Sequence, residues 1–297
     1  MPRILLISCA VIWGWTFVAT RICLQFVTPL ELLGLRLLIA VPALYAIVRA
    51  RRLRFEFTAA EARRTLLAGA IVTAHFLIQI YGLKYTSATN TGWIIAVAPL
   101  AMAVLAFLFL GERIGQRTMI GILVATTGIL LLISQGRVAQ FDWLSSVGDW
   151  LVLLSAHTWA LYTIAVRDLS RSRNPLVVTV AVFAPPALII PAVMLFNSDW
   201  RHIAAMSTEA WVALAFLGLF GMALAQWFWQ KGVSQVGAAR AGMYLYLEPL
   251  ATTALAVPYL GEYFGWTSAL GGALVLAGVY WASRRHHKAT AAPATAD

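Results

Sequence analysis

The sequence predicts an all-α membrane protein of ten transmembrane helices, arranged as two inverted five-helix repeats around a central cavity, and three observations predict it. The chain of 297 residues is 61% hydrophobic and only 11% charged, with a mean hydropathy of +0.80. That is more apolar surface than a water-soluble fold of this length buries. Ten stretches have the apolarity of a span, for which about 20 residues are needed. Finally, "FLFLGERIGQRTMIGI" from Phe107 is echoed 150 residues later by "VPYLGEYFGWTSALGG" from Val257.

In chain order the spans are 4–26, 30–48, 66–83, 91–110, 118–133, 150–166, 177–196, 211–233, 241–260 and 266–282, the fifth and sixth being short. The start, "MPRILLISCAVIWGWTFVAT", has the basic end and apolar run of a signal peptide. It is read as the first helix instead, because residues in it take part in the repeat. Cys9 and Cys23 lie on that helix, too far apart to bridge, and carry no information about redox compartment. The two repeats are expected at 1–136 and 147–283. The tail, 284–297, ends in "ATAAPATAD", small and polar, and is expected to be a disordered cytoplasmic segment.

A net charge of +10 would suggest nucleic acid in a soluble protein, so its placement decides. With the N-terminus in the cytoplasm, one set of helix ends carries 17 of the 22 Lys and Arg. Only Arg21, Arg36, Lys84, Arg137 and Arg201 fall on the other side and its flanks. This asymmetry predicts cytoplasmic termini. It needs lipid and no nucleic acid as a partner.

The repeat is carried by residues that chance apolarity does not align. At an offset of 150, Gly82, Ala88, Gly92, Pro99, Leu100, Gly111, Glu112, Gly115, Gly121 and Gly128 match Gly232, Ala238, Gly242, Pro249, Leu250, Gly261, Glu262, Gly265, Gly271 and Gly278. At 146, Trp13, Arg21 and Pro29 match Trp159, Arg167 and Pro175. Five spans per half is odd, so equivalent ends fall on opposite faces of the membrane. Inverted repeats of this kind place a substrate site near the midplane where the halves meet.

"WGWTFVATR", "TPLELLGLR", "YGLKYTSATNTGWIIAVAPL", "LGERIG", "YLYLEPL" and "LGEYFG", in this order, resemble the EamA-type pattern of the drug/metabolite transporter superfamily. Within it the Trp-rich first helix is most similar to YddG-type amino acid exporters. The resemblance covers nearly the whole chain. It implies a central cavity lined by the first, third, fourth, sixth, eighth and ninth helices and opened alternately to each side. It also places the two "GE" corners, Gly111 with Glu112 and Gly261 with Glu262, at the ends of the fourth and ninth helices. There glycine permits a sharp turn, and the corners are read as structural.

Polar groups at mid-depth are the functional candidates, since an unpaired charge there is costly. Among the 12 acids, Glu248 alone sits deep in a span, followed by Pro249. It could serve the substrate, or form a structural pair with Arg36 or a Tyr hydroxyl. His75 and Gln79 share a face of the third helix, and His157 lies at similar depth in the sixth. Trp13, Trp93, Tyr162 and Tyr244 are aromatics within spans rather than at the interfacial belt, and Thr16 and Gln226 complete the expected wall. No metal-ligand or catalytic constellation appears, and no cofactor or enzymatic activity is expected. An aromatic cavity with few charges suits a small amphipathic solute, held by stacking and by cation–π contact with an amine. It suits sugar phosphates poorly. The resulting expectation is a secondary transporter of a bacterial inner membrane that exports amino acids and related metabolites by alternating access. The alternative is a proton-coupled exporter of lipophilic cations, with Glu248 as cation and proton site.

Overall fold

The structure, a computed structural model, describes residues 2–111, 115–134, 146–261 and 266–283. Every regular element among them is helical. Six stretches, Pro2–Cys23, Pro29–Ala50, Ala59–Lys84, Ala88–Leu110, Pro175–Asn197 and Thr208–Val236, are long and apolar enough to cross a bilayer, with shorter apolar helices at Gln116–Leu131 and Ala269–Trp281. The protein is therefore an integral membrane protein. Six of the ten expected spans reach that length and apolarity among the described residues. The expected sixth span lies in a 26-residue helix that holds Asp149, Arg167, Asp168 and Arg171, and the expected ninth is interrupted.

α1 (Pro2–Cys23) leads to α2 (Pro29–Ala50). α2 begins at a capping box: the Glu31 amide donates to Thr28 Oγ1 and the Thr28 amide donates to the Glu31 carboxylate at 2.8 Å. Thr58 and Glu61 repeat the device at the start of α3 (Ala59–Lys84), and Ser146 and Asp149 at the start of α7 (Val147–Ser172). α3 is followed by α4 (Ala88–Ile95), α5 (Ala98–Leu110) and α6 (Gln116–Ser134). After α7 come α8 (Pro175–Asn197), the short α9 (Trp200–Ala204), α10 (Thr208–Phe216), a π-helical segment (Leu217–Leu224) and α11 (Ala225–Val236). The chain continues through α12 (Ala238–Gly242), a 3-10 segment (Met243–Leu247), α13 (Glu248–Leu260) and α14 (Trp266–Ser283).

The helices expected as the fourth and ninth spans break at positions that match at the offset of 150. Between α4 and α5 the amides of Ala96 and Val97 reach back only three residues, to the carbonyls of Trp93 and Ile94. In the other half the 3-10 turns of Met243–Leu247 do the same. Each break immediately precedes a proline, Pro99 or Pro249, which has no amide to continue the ladder. Gly111 and Gly261 end α5 and α13 with φ of +62° and +68°, a left-handed cap that glycine adopts without strain. Glu112 and Glu262 lie outside the described residues, as do the 284–297 tail and Arg113 and Arg137 of the charge count.

Packing is reciprocal between the halves. α3 packs on α7 and α11 on α1; α5 packs on α7 and α13 on α1; α2 meets α8, and α6 meets α14. A Cβ added at Gly128 would stand 2.6 Å from the Gly271 carbonyl oxygen, and one at Gly278 would stand 2.6 Å from that of Gly121. Gly92 likewise faces Pro249 while Gly242 faces Pro99. The residues that match at an offset of 150 thus make exchanged contacts, and α6 and α14 approach backbone to backbone. Gly128→Val is expected to force them apart and to destabilise the protein by about 1–3 kcal/mol, seen as a lower unfolding temperature in detergent. An unchanged temperature would mean that the close approach is not needed.

Candidate functional site

Between the helices lies a small, partly open cavity lined by Trp13, Thr16, Phe17, Arg36, His75, Phe76, Gln79, Ile95, Trp159, Gln226, Leu245 and Glu248. It draws on α1, α3, α4, α7, α11 and the 3-10 to α13 junction, the six spans expected, and also on α2 through Arg36. Trp13, Thr16 and Phe17 fall at i, i+3 and i+4 on one face of α1, as His75 and Gln79 do on α3. The broken ninth span supplies Leu245 and Glu248 from the irregular backbone at its centre.

Aromatic rings form one wall. The indoles of Trp13 and Trp159, equivalent in the two halves, meet edge to face at 4.9 Å. Trp229 closes behind both, at 5.3 and 5.7 Å, and His75 lies 5.1 Å from Trp159. The Trp13 Nε1–H donates to the Gly221 carbonyl at 3.0 Å. Gly221 belongs to the π-helical segment, whose register departs from the α-helical ladder. The Thr16 hydroxyl donates to the Trp13 carbonyl. His75 Nδ1 lies 2.9 Å from the Ser155 carbonyl oxygen. Since a carbonyl only accepts, Nδ1 carries the hydrogen, which leaves Nε2 as an acceptor whenever the ring is neutral.

The charged and amide groups are less committed. Glu248 is 4% exposed, and among the described residues its carboxylate has no hydrogen bond or ion pair, with Arg36 or any Tyr. Arg36 is 3% exposed; its Nε has no hydrogen-bond partner, and its guanidinium stands 5.2 Å over the Phe76 ring. Gln226 is fully buried with neither amide atom bonded. Among the described residues no three His, Cys, Asp or Glu side chains come together to hold a metal.

Four sequence candidates stand elsewhere. His157 is exposed and its Nδ1 bonds the Leu153 carbonyl of its own helix. It is two positions from Trp159, so at about 100° per residue it points to the far side of α7. Trp93 is buried in the core, and the cavity position of α4 is Ile95, again two residues away. Tyr162 is fully buried behind Trp159, its hydroxyl accepting from Gln230 Nε2 at 2.7 Å, while Gln230 Oε1 accepts from Ser170. Tyr244 is buried beside the cavity residue Leu245. Arg36, expected among the flank residues or as a structural partner of Glu248, stands in the cavity wall; its interruption of the apolar run "ELLGLRLLIA" is the sequence signal of such a place. Phe17, Phe76, Ile95 and Leu245 carry no such signal.

The EamA-like transporter family matches residues 2–134 and 146–284. An uncharacterized transporter, YyaM, of Bacillus subtilis is 30% identical over 68% of this chain and 66% of its own length. A probable amino-acid metabolite efflux pump of Salmonella typhimurium is 26% identical over 91% of this chain and 90% of its own. One solved crystal structure shares the fold with a TM-score of 0.74 at 20% identity, covering 94% of this chain and 97% of the other.

Proposed function

The chain belongs to the EamA-like transporter family, within the drug/metabolite transporter superfamily, and from that premise we propose that it exports amino acids and related small amphipathic metabolites by alternating access. The observation that carries this reading is the cavity itself. Its aromatic wall offers stacking, while Arg36, Gln226 and Glu248 present polar groups that the described residues leave unpaired. The name of the Salmonella relative supports the substrate class. Two inverted five-helix repeats, 1–136 and 147–283, are supported by the exchanged glycine contacts and by the equivalent breaks before Pro99 and Pro249. Rocking one half against the other about the shared cavity would expose the site to each side in turn.

A proton-coupled exporter of lipophilic cations is the second reading, and Glu248 among aromatic rings favours it. Arg36 opposes it, because a monovalent cation in the same cavity would meet the guanidinium. Reconstitution in liposomes and counterflow of labelled amino acids against organic cations separates the two. Exchange of amino acids alone supports the first reading, and exchange of cations alone sinks it.

The proposed setting is a bacterial inner membrane with both termini in the cytoplasm, supported by the partition of basic residues: 17 on one set of helix ends against Arg21, Lys84, Arg137 and Arg201 on the other, with Arg36 in the cavity. Single cysteines placed near Arg52 and near Asp199, in a background lacking the two buried native thiols, are expected to react with an impermeant thiol reagent from opposite sides. Labelling of both from one side would overturn the inverted topology.

A further inference from the structure

We infer that Arg36 and Gln226 are the receptor for a carboxylate, so that the cavity reads its solute at both ends and selects zwitterions bearing a free carboxylate and a free amine. The inference rests on the amino-acid reading above and adds which groups of the solute are recognised. Both residues line the cavity and both are at least nine-tenths buried. Arg36 Nε and both amide atoms of Gln226 lack hydrogen-bond partners, and among the described residues Arg36 has no ion pair. An arginine is not discharged in a protein, and a charge held out of water without a counter-ion is strongly unfavourable. The Phe76 face, 5.2 Å away, satisfies none of the guanidinium's N–H donors. A solute carboxylate does, because it accepts two parallel N–H bonds in one plane, and the Gln226 amide adds a third donor.

The other half supplies the complementary charge. Glu248 lines the same cavity, with no counter-ion among the described residues. Arg36 and Glu248 together are neutral, as is a zwitterion, so binding one leaves the cavity without net charge. A simple anion would satisfy Arg36 and leave Glu248 unpaired; an amine without a carboxylate would do the reverse. The side chain between the two ends then lies against Trp13, Trp159 and Phe76, which can discriminate by size and shape but form no obligatory bond with it.

The test is counterflow of labelled leucine in proteoliposomes containing the full chain, competed by leucine, leucinamide, 3-methylbutylamine and 4-methylpentanoate. Leucine is expected to compete best, and each analogue lacking one charged end at least about tenfold less well, the scale of losing a charge-assisted pair. Arg36→Gln is expected to abolish the preference for leucine over leucinamide, and Arg36→Lys to retain part of it. Equal competition by leucine and leucinamide in the unaltered protein overturns the inference even if leucine is exchanged well. Should Arg36→Gln fail to fold, that comparison still decides. Absence of exchange for alanine, leucine and phenylalanine alike would end the amino-acid reading itself, and the inference with it.

Discussion

Trp13→Ala is expected to lower stability by about 3–5 kcal/mol, the usual cost of truncating a buried tryptophan, and to change the ranking of exchanged amino acids in whatever protein folds. Trp13 is 8% exposed, meets Trp159 and Trp229 ring to ring and donates to the Gly221 carbonyl. It is therefore wall and packing at once. Trp13→Phe is the milder change, since it keeps an aromatic ring while losing the hydrogen bond, worth about 1 kcal/mol, and part of the buried indole's packing. Gln79, half-buried on the cavity wall without a hydrogen-bond partner among the described residues, gives the opposite balance: Gln79→Ala is expected to shift the ranking while leaving the unfolding temperature nearly unchanged. The measurements are unfolding temperature in detergent and counterflow with a set of amino acids of increasing side-chain volume. If Trp13→Phe and Gln79→Ala both leave the ranking intact, the wall assignment fails.

Glu248→Gln is expected to slow exchange of a zwitterionic solute by at least about tenfold, because it removes a charge and keeps the volume. The energy source is the sharper question. A carboxylate with no fixed partner could carry a proton out of phase with the solute, which would make the protein an antiporter. A neutral solute can also leave down its own gradient, and an exporter relieving overflow needs no ion. The expected result is the second: with equal substrate on both sides of proteoliposomes, an imposed pH gradient produces no accumulation. Accumulation that collapses when the gradient is dissipated, and is lost in Glu248→Gln, would establish proton coupling instead.

How much of this was legible in the chain follows from what each signal encodes. Apolarity reported the bilayer directly, because burial in lipid demands it of every span. The recurrence of Gly92, Pro99, Gly121 and Gly128 at Gly242, Pro249, Gly271 and Gly278 reported the two halves, because close backbone approach and a broken helix tolerate few other residues. Glu248, Gln226, His75, Gln79, Thr16 and Trp13 could be proposed for the cavity as polar or aromatic groups at mid-depth. Which face of a helix looks inward was less legible. In a membrane both faces are apolar, so periodicity does not orient a span as it does at the surface of a soluble protein. Periodicity therefore does not tell the inward Trp159 from the outward His157 on α7, or Ile95 from the core-packed Trp93 on α4.

Membrane class, doubled organisation and family pattern are legible in the chain, since each depends on composition or on spacing along it. Tertiary structure alone decided that Arg36 enters the cavity from α2, that its Nε and the Gln226 amide lack partners, and that Tyr162 turns instead to Gln230. These are facts about which side chains meet across separate helices. The rotation and depth of each helix are set by its neighbours through contacts such as Gly14 against the Glu248 carbonyl, and residues more than 200 positions apart leave no local trace of their meeting.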